Sequence, residues 1–332
     1  MDFEKLLSQE EYGFLNKDIH LKDRILFLSL SGSYAYGTNV EGSDIDIRGV
    51  ALDRIDSLIG IDRFEQYNDK KTDTTVYSLS KFVSLALACN PNVVELLFLK
   101  PEHYLRITPI GQKLLDNRHL FLSQRAIPAF GGYANAQLNR LENALMREKG
   151  EQSDRIKAEH AKRSMENCIT SFLDDEDVDY SFTLDYDEVD SVMKVDLSVK
   201  GLRVGAFRSL GNQMGDVLKT YDALSLGKNA RKDDLHLNKH MMHLVRLYLT
   251  ANELLETGSF HTCREKDIDL LLAIRRGEYR NEDGSLKESF GELLKGLTSK
   301  FDGLKKHPNL PKQPDRDGIA NLLKEIYESA LF

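Results

Sequence analysis

Asp44 and Asp46 flank a single isoleucine in the stretch LSGSYAYGTNVEGSDIDIRGVA, which runs from Leu30 to Ala51. Alternate side chains leave a β-strand on the same face, so a strand here brings the two carboxylates together. Side by side they repel, and a folded chain keeps such a pair where a cation or a shared proton neutralises it. Hard divalent ions take oxygen ligands, and magnesium binds one or two carboxylates together with substrate phosphates. Just upstream, the apolar run Arg24 to Ser31 (RILFLSLS) reads as a buried strand that turns at Gly32-Ser33 into a short helix. Backbone N–H groups at such a turn cradle phosphate oxygens. The stretch therefore asks for a nucleoside triphosphate and Mg²⁺ or Mn²⁺. Its bland alternative is a surface hairpin, with Gly37, Gly42 and Gly49 as turn residues and the aspartates facing solvent.

An apolar strand, Gly-Ser, a ten-residue spacer from Tyr34 to Ser43 and then Asp-Ile-Asp-Ile resembles the signature of the DNA polymerase beta-like nucleotidyltransferase superfamily. Further blocks narrow the resemblance: SLSKFVSLALACNPNVVELLF (Ser78 to Phe98), FGGYANAQL (Phe130 to Leu138), KHMMHLVR (Lys239 to Arg246) and IRRGE (Ile274 to Glu278). Together they resemble the predicted nucleotidyltransferases of the RNA-repair-pathway polymerase beta family, over most of residues 24–148 and 234–280. The resemblance implies an α/β (α+β) fold, with a polymerase beta-like catalytic lobe built on a mixed sheet and a mainly helical C-terminal lobe. It implies transfer of NMP from an NTP, ATP being the expected one, to an acceptor hydroxyl with release of pyrophosphate. An RNA end, with a tRNA 3′ end among the candidates, is the leading acceptor on the resemblance alone.

The family's third carboxylate sits on a neighbouring strand and helps to hold the metal. Asp73, at the head of TDTTVYSL, is the expected residue, with Asp62, Glu65 and Asp69 as nearby alternatives. The metal ligands implied are thus Asp44, Asp46 and Asp73. Gly32, Ser33 and Ser43 are implied contacts to the nucleotide. Glu95 could serve the site or cap a helix pair, the structural role being the favoured one; Lys81 and Asn90 match family positions too, where a solvated helix face and a helix cap explain them at least as well.

The helix Leu235 to Thr257, plotted at about 100° per residue, gathers Met241, Leu244, Val245, Tyr248 and Leu255 on one face and Lys239, His243 and Arg246 opposite, with His236 beside them. A solvated face would look the same. Beside the resemblance, Lys239, His243 and Arg246 are expected to contact the triphosphate or an acceptor phosphate. Zinc on His236, His240 and His243 is the competing reading, weakened because the motif offers no acidic or cysteine ligand. Arg275, Arg276 and Arg280 extend the basic surface or are ordinary surface arginines.

Behind these residues stand the elements that must hold them. A chain of 332 residues exceeds what one core usually organises, and 41% apolar content is ordinary for a globular protein. Residues 1–120 read as the catalytic domain, with strands at 25–31 and 44–52, extended segments near 63–67 and 73–77, and helices near 78–89 and 92–99 parted by Asn90-Pro91. Residues 121–332 read as a helical domain, with FGGY at 130–133 as a break or kink before the helix of Gln137 to Arg147, and HPNLPKQPDRDG as a linker before a last helix. Within an insertion at about 150–232, Asp174 to Asp190 carries nine acidic residues and no basic one, which reads as a solvated loop, or as a docking segment through Tyr180, Phe182, Leu184 and Tyr186.

The net charge of −8 argues against an overall nucleic-acid coat, so an RNA substrate requires locally concentrated basic residues. No apolar run approaches the roughly 20 residues that span a bilayer, and the start lacks the basic and apolar regions of a signal peptide. Three scattered cysteines suggest neither a disulfide framework nor a metal site, and the expected compartment is the reducing cytoplasm. Alternatives to RNA are NMP transfer to a protein side chain or small molecule, and a non-catalytic nucleotide sensor.

Overall fold

A computed structural model describes residues 3–148, 162–170, 172–173, 178–187, 192–225 and 234–331. The chain forms two compact units, residues 1–141 with 234–332, and residues 142–233.

The first unit is built on β1 (Ile25–Ser31), β2 (Asp46–Ala51), β3 (Gln66–Asp69), β4 (Thr74–Ser78) and β5 (Tyr104–Ile107). They form one sheet in the order β3-β4-β2-β1-β5. Only β2 and β4 run parallel, so the sheet is mixed, as expected. The run ILFLSLS is apolar at nearly every position because β1 is central and covered on both faces. On one face Leu28, Ile47 and Val76 pack with Tyr12, Leu15 and Leu21. On the other, Phe27 meets Phe82 and Tyr104 edge to face at 5.9 and 5.8 Å. Fully buried side chains such as Phe27 and Phe82 each contribute roughly 1.5–3 kcal/mol over their exposed state.

Helix α1 (Gly32–Tyr36) follows β1, and α2 (Leu79–Leu87) follows β4. The Ser78 hydroxyl caps α2 by accepting from the Lys81 backbone N–H. A short helix, Pro91–Val94, is capped in turn by the Asn90 side chain, which accounts for the break at Asn90-Pro91.

Helix α3 spans Ala126–Glu148 and continues unbroken through FGGY, so the break expected there is absent. Phe130, Ala134 and Leu141 are all buried along it. Burial of that stripe outweighs the penalty of about 1 kcal/mol that each glycine brings to a helix interior. Helix α4 (Asp234–Thr257) is buried over most of its circumference, Met242 and Leu247 included, and packs against α5 (Ile268–Arg275) and the helix Glu288–Leu304.

In the second unit β6 (Asp179–Asp187) pairs with β7 (Val192–Lys200) as an antiparallel hairpin, with Phe182 opposite Leu197. Tyr180, Phe182, Leu197 and Val199 pack on Met165, Ile169, Leu173 and Leu210, the last from the helix Val204–Ser225. The acidic stretch expected to be a solvated loop is therefore a strand over 179–187. Tyr180 and Phe182 alternate with the polar residues Asp179, Ser181 and Thr183, and are partly buried on one face while those three are exposed. Residues 174–177 and 188–191, which carry the remaining acids, lie outside the described residues.

Among the described residues no helix is long and apolar enough to cross a membrane. The three cysteines are free.

Candidate active site

Strand register assembles the carboxylates. Ile47 of β2 pairs with Thr74 of the parallel strand β4, and the Ile47 N–H donates to the Asp73 carbonyl at 3.2 Å. The residues one step earlier, Asp46 and Asp73, therefore stand side by side, close enough for each carboxyl group to act on the other. Burial pushes the Asp46 carboxyl up to about 6, helped by the hydrogen bond to Asp73 and that residue's charge. Asp73 is held below its ordinary value, first by the bond from Asp46 and then by Arg48.

Behind Asp46 lies Gly32. Ser31, the last residue of β1, pairs with Asp46, and the chain enters α1 at Gly32 with φ 57°. A β-carbon on Gly32 would fall within the Asp46 carboxylate, so glycine is what lets the turn and the acid meet. Ser33 is buried behind it.

Asp44 is exposed, in the irregular segment just before β2. Of the alternatives offered for the third acid, Asp62 meets His20 at 3.4 Å, Glu65 meets Lys81 at 2.7 Å, and Asp69 accepts from the Lys71 and Thr72 backbone. Among the described residues no group of three or more His, Cys, Asp or Glu side chains is placed to hold a metal ion. The carboxylates that the structure does bring together are Asp46 and Asp73.

The loop between α1 and β2 is tied down from α5. Arg275 donates to the Thr38 carbonyl and, at 3.3 Å, to the Ser43 hydroxyl, which itself accepts from the Val40 backbone N–H at 2.9 Å. Ser43 thus fixes the approach to Asp44. Arg275, expected either to extend the basic surface or to be an ordinary surface arginine, is the clasp of this loop.

Helix α4 supplies the cations. Lys239 is exposed, and its charge lowers the pKa of both Asp46 and Asp73. His243 lies edge-on to Tyr36 at 6.1 Å. Burial, then the charges of Arg246 and Lys239, push its pKa well below the ordinary histidine value, so the ring is neutral at physiological pH. His240 sits 3.1 Å from Gln137 of α3. Side-chain placement at His236 lies outside the described residues.

Arg246 corrects the helical wheel. Its side chain is 4% exposed, ion-paired with Glu95, and its guanidinium lies 3.6 Å from the centroid of the Tyr36 ring. The Tyr36 hydroxyl donates to the same Glu95 carboxylate at 2.9 Å, and Thr262 donates to the Glu95 carbonyl at 2.7 Å. Arg246 has an internal counter-ion and braces α1 from below, so it does not face an open phosphate site.

Arg48 is the residue sequence reasoning missed. It lies two positions after Asp46 on β2, hence on the same face, and donates to the Asp73 carbonyl at 2.6 Å and to Asp73 Oδ1 at 3.3 Å. Strand alternation alone places it beside the acids, but its partner is visible only once β4 is paired to β2.

A family model described as RNA repair pathway DNA polymerase beta family matches residues 4–169. No curated protein and no solved structure matches the chain.

Proposed function

From the premise that the chain belongs to the RNA repair pathway DNA polymerase beta family, we propose that it is a metal-dependent nucleotidyltransferase. It transfers NMP from an NTP, ATP first among them, to the hydroxyl of an RNA end, a tRNA 3′ end being one candidate. The observation that carries this reading is the Asp46–Asp73 pair seated on Gly32.

Two carboxylates held side by side fit a divalent cation, which neutralises their mutual repulsion and takes its remaining oxygen ligands from phosphate and water. Asp46 and Asp73 would hold Mg²⁺ or Mn²⁺, with Asp44 as the further carboxylate on the approach. When bound, the ion supplies charge neutralisation for the triphosphate and activation of the attacking oxygen. The Gly32-Ser33 turn presents backbone to the β and γ phosphates. Ser43 holds the loop that borders them, and Lys239 supplies the exposed positive charge. His243, being neutral, offers hydrogen bonding rather than charge. Attack of the acceptor hydroxyl on the α-phosphorus expels pyrophosphate in line.

The net charge of −8 favours a second reading, a protein side chain as acceptor, because a phosphate backbone is normally bound by clustered Lys and Arg. The free cysteines fit a reducing cytoplasm, where either acceptor is available. Incubation of the protein with each α-labelled NTP, Mg²⁺ and, separately, total RNA, tRNA and protein tests the proposal. Label on RNA with pyrophosphate release supports the first reading, and label on protein the second. Nucleotide binding with no release under any condition overturns both in favour of a sensor.

A further inference from the structure

Asp46 and Asp73 are held by different means. Asp46 is backed by Gly32, its carboxylate filling the space that a β-carbon there would take. Asp73 has no such wall. Its side chain is 56% exposed and its backbone adopts φ 44°, a left-handed conformation that an L-residue with a side chain rarely takes. A half-exposed acid beside another acid, on a backbone that disfavours its own geometry, would be expected to swing into solvent.

Arg48 opposes that swing at three points. Its Nη1 donates to the carbonyls of Ile47 at 2.9 Å and Asp73 at 2.6 Å, and its Nη2 to Asp73 Oδ1 at 3.3 Å. The guanidinium thus bridges the strand that carries Asp46 and the residue that opens β4, gripping both backbone and carboxylate of Asp73. We propose that Arg48 is a positioning residue: its planar fork locks Asp73 in the left-handed conformation and aims its carboxylate at Asp46, so that a two-acid cation site exists before any cation arrives. A lysine would supply the same charge without the fork. The cation-binding half of this inference rests on the metal-site reading above, and the backbone half does not.

The test uses the full chain and four variants, Arg48→Lys, Arg48→Ala, Asp73→Gly and the Arg48→Ala/Asp73→Gly double variant. Affinity for Mn²⁺ alone is read by electron paramagnetic resonance of the free ion. Both Arg48 variants should bind Mn²⁺ on the order of tenfold more weakly, the usual effect of losing a group that orients a metal's ligand. Wild-type affinity in Arg48→Lys together with tighter binding in Arg48→Ala would show that Arg48 only offsets charge, and would overturn the proposal. Melting temperatures of the metal-free proteins form a double-mutant cycle. Glycine takes φ 44° freely, so Arg48→Ala should lower the melting temperature clearly in the Asp73 background and much less in the Asp73→Gly background. Equal drops in the two backgrounds would overturn the backbone clamp. A wild type that binds no Mn²⁺ brings down the metal-site reading, while the melting cycle still decides the role of Arg48.

Discussion

Gly32 and Asp46 compete for one space: a β-carbon on Gly32 would stand 1.9 Å from Oδ2 of Asp46 and 2.9 Å from its Cγ. Gly32→Ala must therefore displace the acid, and it also places alanine at φ 57°, a left-handed conformation costing roughly 1–2 kcal/mol. The variant should melt lower than wild type and lose the stabilisation that Mn²⁺ with ATP gives by mass action. Adding Asp46→Gly should restore part of the melting temperature and none of the ligand response. Differential scanning fluorimetry with and without MnATP reads both effects, and an unchanged MnATP shift in Gly32→Ala would remove Gly32 from the site.

The Asp46 carboxyl also sets a pH dependence. Its folded value, about 6, lies above the ordinary 3.8, so its contribution to stability is fully present below about 4 and is lost as pH rises through 6. The metal-free protein should gain melting temperature from this group when moved from pH 7.5 to pH 5. Asp46→Asn should flatten that slope, melt no lower than wild type at pH 7.5, and abolish transfer. Mn²⁺ should stabilise wild type more at pH 7.5 than at pH 5, because the proton and the ion seek the same oxygens. If Asp46→Asn keeps the wild-type slope, the titrating group is another residue.

Lys239 and Arg246 occupy one helix and should answer to different assays. Removing Arg246 leaves Glu95, 3% exposed, buried without its counter-ion, an effect on the order of 3–5 kcal/mol. Arg246→Ala should therefore lower the melting temperature by more than about 5 °C, and Glu95→Gln added to Arg246→Met should recover part of the loss. Lys239→Ala should leave the melting temperature near that of wild type and raise KM for the nucleotide several-fold. A stable Arg246→Ala protein with a raised KM would return Arg246 to the phosphate site.

What could be read from the sequence depended on whether the deciding partner was local. Strand alternation sets Asp46 and, unnoticed, Arg48 on one face, while the expected strand from 44 starts only at Asp46 and leaves Asp44 outside that alternation; the short extended run before SLSKF made Asp73 the expected third acid. The wheel misplaced Arg246, because a charged residue is counted as solvated unless its partner is known, and Glu95 is 151 residues away. Acid density masked the two-residue period of β6, in which Tyr180 and Phe182 alternate with polar neighbours and pack on a core. The glycines of FGGY signalled a break that burial of Phe130 and Ala134 overrides.

Arg275 offers the sharpest test of how the loop from Thr38 to Ser43 serves the acids. Its guanidinium joins the Thr38 carbonyl to the Ser43 hydroxyl, and Ser43 caps the Val40 N–H, so one side chain from α5 fixes both ends of the segment. Hydrogen bonds from a charged donor are worth about 1.5–3 kcal/mol when buried, and less here because Arg275 is partly exposed. Arg275→Ala should therefore lower the global melting temperature only slightly while loosening the segment locally. Amide hydrogen exchange over residues 38–44 should accelerate, with α4 and the sheet unchanged, and KM for the nucleotide should rise with it. Arg275→Lys should protect the segment only in part, since one ammonium does not span both acceptors as the fork does. Should KM rise while exchange at 38–44 stays at the wild-type rate, Arg275 acts on the nucleotide directly and the loop needs no clasp.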